Sequence, residues 1–357
     1  LGGAGCKKSN IFVPMKKTFI PWIAIVVVLP LVFTSCARIP EENLKEEHRK
    51  LLEAHVKIIH LDTLQRTESG LYYTVLQQGT GGKNTDSAMV FVRETIRDLQ
   101  YNIVASTEAS VARQLGTFSY ARAYMPLLWH MGTQSILRGL EEMLLVMREG
   151  EIRRIWLPYW MSSYREGGSA ENASAMVYDL ELVKVIHDMD SYQTDLLEVF
   201  RNMHYPGVDS LEKGFYKITV VPGTGDTLKR GTSVGTYYVG KFLDGHVFDT
   251  NVADTALKYR IHEEKKDYGL FRVVIPVPEE GEHKDKDKNK EEEGSAIKGF
   301  VKCVTDMRYG EQAVCFFHSD YGYKEEGKPE SPGGTYLGGG IPGYTPLYFW
   351  ISVPLKQ

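Results

Sequence analysis

The chain has 357 residues, 43% hydrophobic and 25% charged, with a formal net charge of −4. That length suits two domains rather than one, and the composition is that of a globular protein. The slight acidity leaves no basic footprint for nucleic acid.

Residues 1–35 read as upstream sequence followed by a processing signal. From Met15, MKKTFIPWIAIVVVLPLVFTSC carries two lysines, an apolar run and a small-residue stretch ending at Cys36. That is the order of a secretory signal peptide. The apolar run is short for a membrane span, so an uncleaved anchor helix is the alternative. Thr34-Ser35-Cys36 resembles the lipobox of bacterial lipoproteins, with Phe33 where that motif usually has Leu. The resemblance implies a lipidated Cys36 and attachment to a membrane. The leading fourteen residues lack Met and read as lying outside the natural product.

Residues 36–66 form a helical linker. EENLKEEHRKLLEAHVKIIHL places Leu44, Leu51, Leu52, Val56 and Ile59 on one side of a helix. A unit over 67–187 follows, then a second helical linker at 188–209 with Leu196, Leu197 and Phe200 on one side, then a unit over 210–357. The two units are copies. ESGLYYTVLQQGTGG (68–82) answers to EKGFYKITVVPGTGD (212–226), Gly70 to Gly214 at an offset of 144. SILRGLEEMLLVMREGEIRRIWLP (135–158) answers to AIKGFVKCVTDMRYGEQAVCFFH (296–318), Gly139 to Gly299 at an offset of 160. The extra residues are PEEGEHKDKDKNKEEEGS (278–295), a mixed-charge insert of low complexity. Strands around a single short helix predict an α+β fold, each copy an antiparallel sheet half-wrapped around that helix and preceded by a helix. Cys303 and Cys315 fall in apolar-periodic segments, so buried free thiols are expected, a disulfide being the alternative. Ten histidines lie scattered without metal spacing, and there is no P-loop, dinucleotide fingerprint or G-x-S-x-G elbow. No metal and no cofactor are expected.

GTGD, YYVGKFLDGHVFDT, AIKGFVKCVTDMRYGEQA, DYGY and GGGIPGYTPL follow one another in the second copy. Together they resemble an FKBP-type peptidyl-prolyl cis-trans isomerase domain over 210–357, and the first copy resembles the same domain more distantly. A lipoprotein with two such units resembles those of Bacteroidetes-type Gram-negative bacteria. The resemblance implies an apolar pocket between sheet and helix. By motif it assigns Tyr238, Phe248, Asp249 and Tyr323 to catalysis, and Phe271, Ile297, Phe300, Ile341 and Phe349 to substrate binding. Phe300 stands where the family often has Trp, and the loop 324–340 is long for the family.

In the first copy VRETIRDLQYNIVAST aligns without gaps to the hairpin of the second. Glu94 replaces the tyrosine, Val104 the Phe and Ala105 the Asp; Leu140 takes the pocket floor. Ser163 falls at the loop tyrosine, with Tyr164 one residue late, and the flap shortens to REGGSAEN. This copy reads as degenerate and inactive. Its arginines, Arg93, Arg97, Arg113, Arg122, Arg153 and Arg154, read as a solvated face. The expected activity is prolyl isomerisation in the second domain, on proline-containing polypeptide clients outside the cytoplasm, from a lipid-anchored position in the Gram-negative envelope. One rival is a non-catalytic binding lipoprotein; another is a homodimer built through the two linker helices.

Overall fold

The computed structural model describes residues 41–59, 62–164, 174–277, 296–329 and 340–356. The signal segment with Cys36, the insert 278–295, the short flap 165–172 and the flap stretch 330–339 lie outside the described residues. The chain divides into Leu1–Glu47 and His48–Gln357, and both sheets belong to the second of these units. None of the described helices is long and apolar enough to cross a membrane.

The elements of the first copy are α1 (Glu41–Ile59), β1 (Gln65–Arg66), β2 (Tyr72–Gln77), β3 (Met89–Arg97), β4 (Ile103–Ser106), α2 (Ala109–Gln114), β5 (Leu127–His130), α3 (Arg138–Leu144), β6 (Glu151–Leu157) and β7 (Met176–Ile186). The second copy has α4 (Met189–His204), β8 (Phe215–Val221), β9 (Ser233–Phe242), β10 (Val247–Thr250), α5 (Ala253–Tyr259), β11 (Phe271–Val274), α6 (Lys298–Val304), β12 (Gln312–Phe317) and β13 (Leu347–Ser352). The first sheet runs β1-β2-β6-β7-β3-β4, with β5 also on β3. The second runs β8-β12-β13-β9-β10, with β11 also on β9. Apart from β1, the two orders are the same, and the strands pair antiparallel. The short helices α2 and α5, each between the hairpin and the next strand, escape the sequence reading. Each is six or seven residues long, too short to show a period.

Each sheet is covered on both faces. On the inner face of the second sheet α6 packs Phe300, Cys303 and Val304 against Ala313, Cys315 and Phe317 of β12. On the outer face α4 packs Leu197 and Phe200 against Tyr216, Val314 and Phe316. A strand buried on both faces has no polar side to show, which accounts for the unbroken apolar run in β12. The first sheet repeats the plan, with Leu140, Met143 and Leu144 of α3 inside and Leu52 and Val56 of α1 against Trp156 and Val177 outside. Leu51 departs from the expected stripe: it is 60% exposed, because consecutive helix residues stand about 100° apart. Cys303 and Cys315 are both buried free thiols, and burial pushes the Cys315 thiol up.

The matched glycines at the short helices mark the closest approach of helix to sheet. A Cβ on Gly299 would lie 2.4 Å from the Phe317 ring, and one on Gly139 would lie 2.3 Å from Leu157 Cδ1. Only glycine admits that contact, so the spacing between helix and sheet, and the space left beside them, is set at these positions.

The arginines of the first copy do not form one solvated face. Arg153 is buried and pairs with Glu151 at 2.6 Å. Arg154 donates twice to Asp179, at 2.6 and 2.8 Å, and Arg97 pairs with the same carboxylate. The cause is strand geometry: Glu151 and Arg153 are two apart and share a face, and Arg97, Asp179 and Arg154 lie on neighbouring strands β3, β7 and β6.

Candidate active site

The hairpin β9–β10 supplies the polar centre of the site. Adjacent residues of a regular strand point to opposite faces, yet Phe248 packs on the cluster that Tyr238 borders and Asp249 meets the Tyr238 hydroxyl. The register explains it. Val247 pairs with Lys241 and Asp249 with Gly240, so Phe248 is the extra residue of a bulge. The Tyr238 hydroxyl then donates to Asp249 Oδ2 at 2.8 Å, and Lys266 forms an ion pair with the other carboxylate oxygen. Burial first, and the Asp249 charge second, push the Tyr238 phenol far above its ordinary range. It therefore remains a donor throughout the physiological range.

Around this pair stands a box of rings. Phe300, nearly fully buried on α6, meets Tyr238, Phe271 and Phe349 edge to face, with centroids 5.6, 5.6 and 5.4 Å away. Phe248 meets Phe349 edge to face at 5.7 Å. Phe271 reaches the box because β11 pairs with β9 in the register Phe271 to Thr236. Edge-to-face pairs favour ring positions of this kind over loose packing. A further constraint lies under Phe248: a Cβ on Gly240 would come within 2.7 Å of the Phe248 ring and 3.0 Å of the Phe349 ring. Gly240 thus leaves the room that two of the rings occupy.

The remaining assigned residues border the box. Ile297 is buried and stands just before α6. Ile341 is buried in the same cluster, and its backbone exchanges two 2.7 Å hydrogen bonds with Lys328. Tyr323 packs against the cluster, with the Lys328 ammonium 5.6 Å from its ring centre. Tyr323, Ile341 and the aromatic box therefore belong to one assembly.

Two residues of the site were not singled out in the sequence. Lys266 is one. The other is Asn251, buried beside Asp249, whose Oδ1 accepts from the Tyr238 amide at 2.7 Å. Its Nδ2 donates to the carbonyls of Thr236 and Gly269 at 2.9 and 2.8 Å. Every polar atom of that side chain is satisfied, so it staples the 251–269 segment to β9 at little desolvation cost. Its only sequence signal is a polar residue two positions after Asp249.

Elsewhere, Asp190, His318 and Asp320 gather within 4.8 Å of one another. Lys213 already pairs with Asp190 at 2.5 Å, so that carboxylate has a cationic partner from the protein itself.

The first domain keeps the frame and loses the box. Glu94 takes the place of Tyr238, and Tyr178, paired with Ile96, takes that of Phe349, paired with Gly240. Ile96 puts a branched side chain where Gly240 leaves room. Val104, at the Phe248 position, is 60% exposed and walls nothing. Burial pushes the Glu94 carboxyl up to about 7, and burial with the nearby Glu94 charge pushes the Tyr178 phenol up to about 12. An unfolded chain ionises Glu94 near its ordinary value, so folding loses stability as pH rises from about 4.5 to about 7, and the loss is constant above that. Glu94→Gln should stabilise the full chain by about 1–3 kcal/mol at pH 8 and leave it unchanged at pH 4. Melting curves at both values check this; an equal shift at both would show that the carboxyl is not desolvated.

Sequence comparison matches part of the chain to a family. The FKBP-type peptidyl-prolyl cis-trans isomerase family matches residues 225–353. No curated protein matches the chain. Among solved structures, FkpA from Escherichia coli is similar at 19% identity and a TM-score of 0.32, covering 46% of this chain and 71% of its own. A peptidyl-prolyl cis-trans isomerase from Pseudomonas syringae pv. tomato is similar at 19% identity and a TM-score of 0.31, covering 42% of this chain and 97% of its own. The three FKBP domains of wheat FKBP73 are similar at 17% identity and a TM-score of 0.26, covering 80% and 94%. The second half of the chain carries, over residues 225–353, an FKBP-type peptidyl-prolyl cis-trans isomerase domain.

Proposed function

We propose that the chain isomerises Xaa-Pro bonds of proteins outside the cytoplasm, in the pocket of its second domain, while a lipid on Cys36 holds it at a membrane. The observation that carries the catalytic part is the Tyr238–Asp249 hydrogen bond inside a box of phenylalanines.

The chemistry follows from the peptide bond. Amide resonance holds the Xaa-Pro bond planar with a barrier of roughly 18–20 kcal/mol, and uncatalysed exchange takes tens of seconds or more. Twisting the bond removes the resonance and the charge separation between nitrogen and oxygen. A dry aromatic box disfavours the polar planar amide more than the twisted one, which is stabilisation of the transition state relative to the ground state. Phe248, Phe271, Phe300 and Phe349 would enclose the proline ring. Asp249, held by Tyr238 and Lys266, places a fixed charge beside the twisting bond. Tyr323 would donate to a substrate carbonyl. No nucleophile enters the scheme.

A second reading applies to the first domain. Exposed Val104, Ile96 in the ring space and Glu94 in place of the tyrosine favour a role in holding clients or supporting the second domain. The membrane part rests on the lysines, apolar run and Thr34-Ser35-Cys36 of the signal segment.

Phe248→Ala and Asp249→Ala, each in the full chain, should lower kcat/KM for a proline peptide at least about 10-fold. The assay is the rate of cis-to-trans conversion; a folded variant with native activity would remove the pocket from catalysis. Cys36→Ser should move the protein expressed in a Gram-negative host from the membrane pellet to the soluble fraction. Retention in the pellet would remove the lipid anchor.

A further inference from the structure

The box of the second domain is bordered by a piece of the first. Residues 118–130 lead into and include β5, and their side chains meet the second domain at several points. Ala123, only 9% exposed, belongs to the buried cluster that holds Phe300, Ile341 and Phe349. Half-buried Met125 packs on that cluster as well, as do Tyr238, Phe248 and Tyr323.

Three further contacts fix where the segment lies. The Tyr120 hydroxyl accepts from Arg260 at 2.8 Å, with the guanidinium 4.9 Å from the tyrosine ring centre. The His246 ring lies within interaction range of the Ala121 backbone. His130 stacks on Tyr344 at 5.9 Å. Arg260 directly follows α5, His246 precedes Phe248 by two residues, and Tyr344 follows Ile341 by three. The segment therefore touches the post-hairpin loop, the hairpin and the flap, the three parts of the chain that border the pocket.

The segment is also braced within its own domain. Phe118 stacks on Tyr124 at 5.2 Å, the Arg113 guanidinium sits 3.8 Å from the Phe118 ring centre, and the Ser119 amide donates to the Tyr124 hydroxyl at 3.1 Å. A braced segment can present a side chain at a fixed place, which a loose loop cannot.

We infer that the isomerase site is composite, and that Met125 of the first domain forms a wall for a substrate residue flanking the proline. This rests on the prolyl isomerase reading above. The proline ring belongs in the box over Phe300, so its neighbours in the substrate pass the border where Met125 lies. A methionine is unbranched and polarisable and adapts to apolar side chains of different shape; it offers nothing to a carboxylate or an ammonium. Ala123 supports it by being small: a larger residue there would lift the segment off the cluster. The first domain would then select for the second, which gives it a reason to persist without a box of its own.

The test uses the full chain and Xaa-Pro peptides with Leu, Lys or Glu placed in turn before and after the proline. Met125→Ala should lower kcat/KM about fivefold for Leu at one of the two positions, with the Lys and Glu peptides within about twofold of wild type. Met125→Glu should shift the preference at that position toward Lys over Glu by about threefold. An equal fall for all peptides would show that Met125 only supports the fold, and a rise for all would show that the segment covers the pocket. Either overturns the inference. Wild type that accelerates no peptide removes the isomerase reading and this inference with it. Active wild type that is indifferent to Met125 removes the inference alone.

Discussion

A carboxylate set among phenyl rings is the constraint from which the rest of the second domain follows. Asp249 keeps 36% of its side chain exposed, so its partners serve less to offset lost solvation than to hold the carboxylate in one place beside the apolar box. Tyr238 supplies a hydrogen bond and Lys266 an opposite charge. Each partner needs its own support. Tyr238 is fixed by Asn251 at its amide and by Phe271, Phe300 and Phe349 around its ring. Lys266 comes from the segment that Asn251 ties down through Gly269. The bulge at Phe248 brings ring and charge to the same side. Remove one member and the others lose part of what positions them.

The two copies separate what the fold needs from what the site needs. Both keep the strand order, the glycine that lets the short helix meet the sheet, and a helix on the outer face. Those features bury apolar surface and satisfy the backbone, so they persist whatever the pocket does. The ring space is different. Gly240 leaves it open in one copy and Ile96 fills it in the other, and the two arrangements exclude each other at the same register position. The first copy then carries a buried carboxyl with no aromatic box around it, an arrangement that burdens its stability as pH rises.

How much could be read from the residues depends on how local each feature is. The strands and the helix of each copy were legible from period and repetition. Tyr238, Phe248 and Asp249 were legible together because one hairpin fixes their spacing. Phe271 was harder, since only the pairing of β11 with β9 decides where its ring goes. Asn251 and Lys266 sit around an irregular segment with no period to follow. Arg153 was misread as solvated although Glu151, two residues earlier on the same strand face, already offered the partner. Ala123 and Met125 could not be found at all: their contacts come from the packing of one domain on the other, which no local pattern encodes.

The central claim is that the Tyr238–Asp249 hydrogen bond holds the charge that the chemistry uses. Tyr238→Phe removes that hydroxyl and keeps the ring. In the full chain, followed by cis-to-trans conversion of a proline peptide, the account predicts a fall in kcat/KM on the order of 10-fold, the size expected for a lost hydrogen bond to a charged group. A folded Tyr238→Phe protein with wild-type kcat/KM would contradict it.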